Sequence, residues 1–121
     1  MPKNLEISML LDFYGEMLTD KQREMIEFYY NDDLSLAEIA ENQGITRQGV
    51  RDSIKRAETQ MLDMEARLGV AKRFRAMQDG LEKICEAAGR IGEYNSRYVF
   101  AFEIDNEIKS IIETAQELCE V

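Results

Sequence analysis

The feature that most constrains this chain is a spacing of three and four residues between apolar side chains, repeated over most of its length. Proline occurs once, at Pro2, so no later residue removes a backbone donor from a helix. Apolar residues three and four apart lie on one face of an α-helix. The sequence therefore predicts an all-α fold of amphipathic helices.

Two helices are predicted before residue 31. The first begins near Asn4, and the second begins at Thr19, where Gln22 completes a capping box that satisfies two free amides. The predicted inner face of the first helix contains Ile7, Leu10, Leu11, Tyr14, Met17 and Leu18, and that of the second contains Met25, Ile26, Tyr29 and Tyr30. Polar residues 31–33 then interrupt the pattern and indicate a turn.

The middle of the chain has the pattern of a helix-turn-helix motif. Ser35 and Glu38 form a second capping box, and Gly44 ends the short helix that follows it. Ile45 is expected to hold the turn to the core, and Thr46 can cap the second helix of the motif. The predicted apolar face of the short helix consists of Ala37, Ile39 and Ala40.

The second helix of the motif carries the candidate functional residues. Its apolar face is predicted to contain Val50, Ile54, Ala57, Met61, Met64 and Leu68, so the helix continues to residue 68. A helix fits the major groove of B-DNA, where arginine can pair with guanine, glutamine with adenine, and aspartate can accept a hydrogen bond from cytosine. The candidate DNA-binding residues are Thr46, Arg47, Gln48, Arg51, Asp52, Lys55 and Arg56.

The charge distribution supports this assignment. The chain has a net charge of -9, which argues against a protein that coats nucleic acid through many phosphate contacts. Residues 43–76 nevertheless hold 8 basic and 4 acidic side chains, whereas residues 1–42 hold 3 and 10 and residues 77–121 hold 4 and 10. The local excess of basic residues indicates either a surface that contacts nucleic acid or an ordinary solvated helix face.

The chain after residue 68 is predicted to form a C-terminal helical segment. Gly69 separates it from the DNA-binding domain at residues 1–68, and a helix should stop near residues 89–96. Its two helices carry apolar faces of Val70, Phe74, Met77, Leu81, Ile84, Ala88 and Ile91, and of Ile104, Ile108, Ile111, Ala115 and Leu118. These faces can close on each other or across the axis of a homodimer. We favour the homodimer because a two-fold protein can contact two half-sites on DNA.

Residues 98–102 are unusually rich in aromatic and strand-forming side chains. A lone strand is not expected, because its backbone groups would lack ladder partners. We interpret these residues as a helix start or an extended arm that packs on the other helices. The alternative is an exposed docking site for another protein.

The sequence does not predict an enzyme. It has no histidine, which removes the commonest general base and zinc ligand, and Cys85 and Cys119 form no Cys-x-x-Cys pair. No nucleophile motif, phosphate-binding glycine loop or metal-ligand cluster is present, so no catalytic residue, metal or cofactor is predicted. The N-terminus does not resemble a secretory signal and no segment predicts a membrane span, so we expect a cytoplasmic protein.

Several of these residues resemble the YlxM family of bacterial helix-turn-helix proteins. The resemblance rests on Leu18, Thr19 and Gln22, on residues 28–30, on residues 35–41 and on residues 44–56, and it is close over residues 5–68. The central run is also similar to the promoter-binding region 4 of bacterial sigma factors. That similarity implies a sigma-region-4-like helix-turn-helix bundle in which Arg47, Gln48, Arg51 and Asp52 face DNA.

The family resemblance implies a cytoplasmic DNA-binding regulator that is linked to the signal recognition particle pathway. Double-stranded DNA is therefore the expected partner. The alternative is an adaptor that does not bind DNA and contacts a protein or RNA component of the signal recognition particle. Two residues depart from the sigma-like pattern: Gly49 replaces a large side chain, and Asp52 adds a negative charge to the outward face.

Overall fold

The structure, a computed structural model, describes residues 1–120 and contains six α-helices and no strand within them. The helices are α1 (Leu5–Tyr14), α2 (Asp20–Tyr30), α3 (Leu36–Gln43), α4 (Arg47–Leu68), α5 (Val70–Tyr94) and α6 (Phe102–Cys119). A 3₁₀ turn, Gly15–Met17, follows α1, and a π-helical turn, Asn95–Val99, follows α5. The all-α prediction is confirmed. None of the helices in the described part of the chain is long and apolar enough to cross a membrane.

Both predicted capping boxes are present. The hydroxyl of Thr19 accepts a hydrogen bond from the amide of Gln22, whose side chain accepts one from the amide of Thr19. Ser35 and Glu38 make the same reciprocal pair at the start of α3. Each box satisfies two amides that a helix leaves unpaired at its N-terminus, so the starts of α2 and α3 are fixed by local sequence.

Two glycines end helices as predicted, because each adopts a left-handed conformation that other residues rarely adopt. Gly44 ends α3 with φ 68°, and Gly69 ends α4 with φ 62°. The turn after Gly44 is short, and Thr46 caps α4 by accepting a hydrogen bond from the amide of Gly49 at 3.0 Å. The helix-turn-helix is therefore formed by α3 and α4.

The first compact unit comprises Met1–Ala71, and α4 lies at its centre in contact with α1, α2 and α3. Every part of the unit contributes to one hydrophobic core, and Ala71 in the first turn of α5 is fully buried in it. The largest fully buried side chains are Ile7, Leu10, Ile26, Ile39, Ile54, Met61 and Val50. The core thus covers the inner face of α4 over its first four turns.

Five apolar residues that the sequence placed on inner faces or in the core lie at the surface of this unit, and one of them is Val70 at the start of α5. Met17 is exposed because α1 ends at Tyr14, and the 3₁₀ turn that follows changes the helical phase. Leu68 is exposed in the last turn of α4, and Ala37 is exposed on α3. Ile45 is also exposed and does not anchor the turn in the core. Fixed 3.6-residue periodicity overestimates burial where helices end.

The second compact unit begins at Lys72 and contains most of α5 together with α6. Ala88, Ile108 and Ala115 are buried apolar residues of this unit, so the two predicted apolar faces close on each other in part, and their closure across a homodimer axis stays a prediction. The uncovered side contains Met77, Ile84, Ile91, Ile111 and Leu118, which are 42–60% exposed. We call this surface the α5–α6 apolar face. Two helices alone can bury only one side of each other.

The turn between α5 and α6 is built around Asn95. Its side-chain oxygen accepts a hydrogen bond from the amide of Ala101 at 2.8 Å, and its amide nitrogen donates to the carbonyl of Ala101 at 2.7 Å and to Asp105 at 3.0 Å. Phe100 has a left-handed backbone with φ 58°, so it ends the preceding turn as a glycine would. Helix α5 stops in the predicted region.

The expectation that residues 98–102 pack on the other helices is wrong. Tyr98, Val99, Phe100 and Phe102 are 58–75% exposed, and Ala101 is half-buried. Phe102 starts α6, as the helix-start interpretation required, but the apolar side chains around it project into solvent. The hydrogen bonds of Asn95 hold this turn together, and the ring of Tyr98 stacks on that of Tyr94 with 6.4 Å between the ring centroids.

Candidate nucleic-acid interface

The outward face of α4 brings the predicted DNA-binding residues together at the surface. All seven are exposed: Thr46, Arg47, Gln48, Arg51, Asp52, Lys55 and Arg56. They occupy the cap and the first three turns of the helix. Arg47 and Arg51 flank the buried face, and Gln48, Asp52 and Lys55 point away from the buried side chains of Val50 and Ile54. The burial of those two residues against the rest of the unit fixes which side of α4 faces solvent.

The four cations of this face form no ion pair within the described part of the chain. Arg47, Arg51, Lys55 and Arg56 make no ion pair with any of residues 1–120, whereas Arg23 pairs with Glu27 at 2.9 Å. A guanidinium or ammonium group at the surface keeps its donors available to an external anion or base. The face can therefore contact phosphates and base edges without breaking an internal ion pair.

The N-terminus of α4 also suits a negatively charged ligand. Its first turn contains no acidic residue, and the helix dipole adds a partial positive charge there. A Cβ atom added at Gly49 would lie 3.2 Å from the hydroxyl oxygen of Thr46. That oxygen accepts a hydrogen bond from the backbone amide of Gly49. The absence of a large side chain at Gly49 thus leaves room for the cap.

Gln48 and Asp52 form the one hydrogen bond within this face. The side-chain nitrogen of Gln48 donates to a carboxylate oxygen of Asp52 at 2.8 Å, one helical turn away. Gln48 is therefore not an independent side chain, and its amide orientation is tied to Asp52. The negative charge that departs from the sigma-like pattern lies between Arg51 and Lys55 in the sequence.

Two tyrosine–glutamate pairs help to hold α4 in place. Tyr14 of α1 donates a hydrogen bond to Glu65 at 2.6 Å, and Tyr30 of α2 donates to Glu58 at 2.6 Å. The two glutamates are seven residues apart, so they lie on one side of α4. These bonds join the helix that carries the candidate interface to the two helices before the motif.

The hydroxyl group of each tyrosine also accepts a backbone hydrogen bond. The amide of Val70 donates to Tyr14 at 3.3 Å, and the amide of Asn4 donates to Tyr30 at 3.2 Å. Burial and the bond to Glu58 raise the pKa of Tyr30 to about 12, and burial and Glu65 likewise raise the pKa of Tyr14. Both hydroxyl groups therefore stay protonated and act as donors at neutral pH.

These supporting residues were missed by the sequence analysis, which treated both tyrosines only as apolar side chains. A signal was present: Glu58 and Glu65 are seven residues apart and flank the apolar face of α4. Carboxylates beside a buried face often accept hydrogen bonds from neighbouring hydroxyl groups. Among the residues that the structure describes, no group of histidine, cysteine or acidic side chains is arranged to hold a metal ion.

Comparison with known proteins confirms the resemblance and extends it. Residues 1–97 match the family described as "Putative helix-turn-helix protein, YlxM / p13 like", well beyond the limit of residue 68 expected from the motifs. UPF0122 proteins from Thermoanaerobacter sp. (strain X514) and Thermoanaerobacter pseudethanolicus are each 45% identical over 109 residues, covering 90% of this chain and 86% of the relative. The UPF0122 protein of Caldanaerobacter subterraneus subsp. tengcongensis is 50% identical over 82 residues, covering 68% of this chain and 70% of the relative.

Proposed function

This chain belongs to the YlxM/p13-like family of helix-turn-helix proteins, and from that premise we propose that it is a regulatory protein that binds double-stranded DNA. Residues 1–68 are the DNA-binding domain in this proposal, and α4 enters the major groove in the manner of sigma factor region 4. The observation that carries the proposal is the set of four exposed cations on α4 that form no ion pair with any residue from 1 to 120. The proposed site of action is the cytoplasm.

The negative charge of the remainder of the protein limits affinity for a single site. Phosphate contacts supply most of the non-specific affinity for DNA, and beyond the four cations and Asp52 of the interface this chain has 11 basic but 23 acidic residues. Two copies on adjacent half-sites double the contacts of α4. The proposed DNA-binding form is therefore a homodimer.

The α5–α6 apolar face fits a second copy of the chain. Met77, Ile84 and Ile91 recur every seven residues on α5, and Ile111 and Leu118 do so on α6. This spacing lets helices pack side by side over several turns. Leu81, Ile84, Ile111, Ala115 and Leu118, with Ser110 and Thr114, line a groove of about 320 Å³ that contains no charged residue. Two such faces can therefore meet without pairing like charges in the acidic second unit.

Duplex binding is tested with the double variant Arg47→Ala/Arg51→Ala. Equilibrium binding to fluorescent duplexes selected from a random library is measured between 50 and 200 mM salt. We expect weaker binding and a shallower dependence of log K on log salt, because each lost phosphate contact lowers the slope by about 0.9. Lys83→Ala/Arg90→Ala removes the same charge from exposed positions on α5 and is the matched control. Equal effects of the two double variants would contradict the proposal.

The homodimer is tested by analytical ultracentrifugation of full-length Ile84→Glu. The substitution places a charge at the centre of the α5–α6 apolar face, and we expect a monomer with an unchanged helical circular dichroism spectrum. Glu86→Lys changes an exposed charge nearby and should leave the dimer intact. A wild-type monomer at all concentrations, or a dimer in Ile84→Glu, would rule out this interface.

A second candidate function is favoured by the exposed aromatic residues at the turn between α5 and α6. Tyr98, Phe100 and Phe102 lie close together in the sequence and are largely exposed, which is typical of protein contact surfaces. We infer from them an adaptor that contacts the signal recognition particle through its C-terminal helices. Purified particle should then be retained by the wild type and by Arg47→Ala but not by Tyr98→Ala/Phe100→Ala. Failure of the wild type to retain particle protein or RNA would refute the adaptor.

A further inference from the structure

We propose that Asp52, oriented by Gln48, selects cytosine in the major groove, so that this pair sets the base preference of the interface. The inference rests on the proposed function, since it needs α4 in the groove. Its starting observation is the 2.8 Å hydrogen bond between the Gln48 side-chain nitrogen and a carboxylate oxygen of Asp52 on the exposed face. The bond leaves the second carboxylate oxygen of Asp52 available to an external donor.

Cytosine is the base that a fixed carboxylate recognises best. Its major-groove edge carries the N4 amino donor and no acceptor, whereas guanine has the acceptors N7 and O6, thymine has the acceptor O4, and adenine has the acceptor N7 beside its N6 amino donor. An ionised aspartate only accepts hydrogen bonds, so it is repelled by those acceptors. Asp52 therefore discriminates in two ways: it binds the cytosine amino group, and it is repelled by the acceptors of guanine and thymine and by N7 of adenine.

The arginines beside Asp52 complete the recognition of a C·G pair. Guanine on the opposite strand presents O6 and N7, which arginine binds in a bidentate manner. Arg51 and Arg47 are both exposed and have no ion pair within residues 1–120. One base pair can thus offer its donor to Asp52 and its two acceptors to an arginine.

Gln48 acts through Asp52 in this arrangement and is a positioning residue. A free glutamine binds adenine with its oxygen and nitrogen together. Here the side-chain nitrogen already donates to Asp52, which holds the carboxylate in one orientation and ties the amide to it. An ordered carboxylate loses less side-chain entropy on binding than a free one.

The negative charge of Asp52 distinguishes base recognition from simple phosphate binding in experiment. Asp52 is the one acidic residue among the first three turns of α4, and it repels DNA phosphates. Asp52→Asn should therefore bind random duplexes more tightly than the wild type and prefer cytosine less. Affinity and specificity are expected to move in opposite directions.

The experiment compares the full-length wild type, Asp52→Asn, Gln48→Ala and Glu41→Gln. Glu41→Gln is the matched control, because it removes one exposed negative charge from α3 without touching α4. Each protein is used to select from a random duplex library at fixed salt. Its affinity is then measured for the selected duplex and for duplexes in which each cytosine is replaced by thymine.

At one cytosine position of the selected site, replacement by thymine should weaken binding by the wild type about tenfold. Asp52→Asn should bind both duplexes with equal affinity. Gln48→Ala should reduce the preference at the same position, and Glu41→Gln should raise affinity for all duplexes equally. Unchanged base preferences in Asp52→Asn would overturn the inference while leaving DNA binding intact. Absence of wild-type binding to any duplex would instead overturn the proposed function and the inference with it.

Discussion

Replacement of Tyr14 by phenylalanine tests whether the support of α4 depends on a single hydroxyl group. Tyr14 is buried, and its ring would be retained in Tyr14→Phe, so packing should change little. The lost group donates to Glu65 at 2.6 Å and accepts from the amide of Val70 at 3.3 Å. The variant therefore isolates the contribution of these hydrogen bonds.

The magnitude follows from the partners that remain. Glu65 keeps the hydrogen bond from the amide of Ala71 at 3.1 Å, and Val70 is 44% exposed. The main loss is then one hydrogen bond to a charged group, which contributes about 1.5–3 kcal/mol to stability. We expect Tyr14→Phe to lower the free energy of unfolding by about 2 kcal/mol.

Urea denaturation followed by far-UV circular dichroism measures this change, and two further tyrosines provide controls. Tyr30→Phe removes a comparable bond to Glu58 from a half-buried position and should cost about 1 kcal/mol. Tyr98→Phe removes an exposed hydroxyl group and should stay within about 0.5 kcal/mol of the wild type. Equal effects of Tyr14→Phe and Tyr98→Phe would refute the proposed support of α4.

Three further predictions concern the same framework. The raised pKa values of Tyr14 and Tyr30 predict a contribution to stability that is fully present below pH 10 and is lost as pH rises towards 12, because the hydroxyl groups ionise less readily in the folded state. Urea titrations at pH 8–11 should show this loss, and the loss should be smaller in Tyr14→Phe and Tyr30→Phe. Neither Gly44→Ala nor Gly89→Ala brings its new Cβ within 4 Å of another atom, so only the backbone conformation separates the two variants. Gly44→Ala should destabilise by about 1 kcal/mol because residue 44 has a left-handed backbone, whereas Gly89→Ala within α5 should stabilise by about 0.5 kcal/mol. Thermal denaturation that gave both changes the same sign would contradict this prediction. Ile54→Ala should cost about 3 kcal/mol because the side chain is fully buried, and a loss below 1 kcal/mol in urea denaturation would show that α4 is not centred on this core.

The local signals of the sequence were sufficient to predict the helix-turn-helix. Capping boxes and left-handed glycines involve residues three or four positions apart, so their geometry is set by the nearby chain alone. The starts of α2, α3 and α4 and the ends of α3 and α4 were predicted for this reason. Periodicity also identified the buried face of α4, because α4 contacts three other helices.

The extent of burial in the second unit could not be predicted in the same way. A three-four spacing shows that a helix has an apolar side, but it does not show how much of that side another helix covers. On α5 the covered part includes Ala88, whereas Met77 and Ile84 remain exposed. The outcome depends on how many helices pack there, which is a long-range property of the fold.

Some features of the candidate interface could be predicted from the sequence and others could not. Exposure of Arg47 and Arg51 follows from helical periodicity, because the buried positions of α4 determine the outward ones. The hydrogen bond between Gln48 and Asp52 was not predicted, although their spacing of four residues permits it. The bonds of α4 to Tyr14 and Tyr30 link residues 51 and 28 positions apart in sequence, so the positions of the glutamates beside the apolar face indicate acceptors but not their partners.

The sequence did not predict the structural role of Asn95, and Asn95→Asp tests that role. The buried amide accepts from the amide of Ala101 and donates to the carbonyl of Ala101 and to Asp105. An ionised carboxylate at this position can still accept but cannot donate, and it faces two acceptors at 2.7 and 3.0 Å. We expect a loss of about 2 kcal/mol in the stability of the α5–α6 turn at pH 7.

Protonation distinguishes this mechanism from a general packing defect, because the protonated carboxyl introduced by Asn95→Asp regains one donor. The backbone amides of Ala101 and Phe100 report on the turn, since both donate to Asn95 in the wild type. Hydrogen exchange of these amides, corrected for its intrinsic pH dependence, should be less protected in the variant at pH 7 than at pH 4. Asn95→Ala lacks any donor, so its loss of protection should not depend on pH. If Asn95→Asp behaved like Asn95→Ala at both pH values, the donor role assigned to the Asn95 amide would be wrong, and the left-handed backbone of Phe100 would have to fix the turn without it.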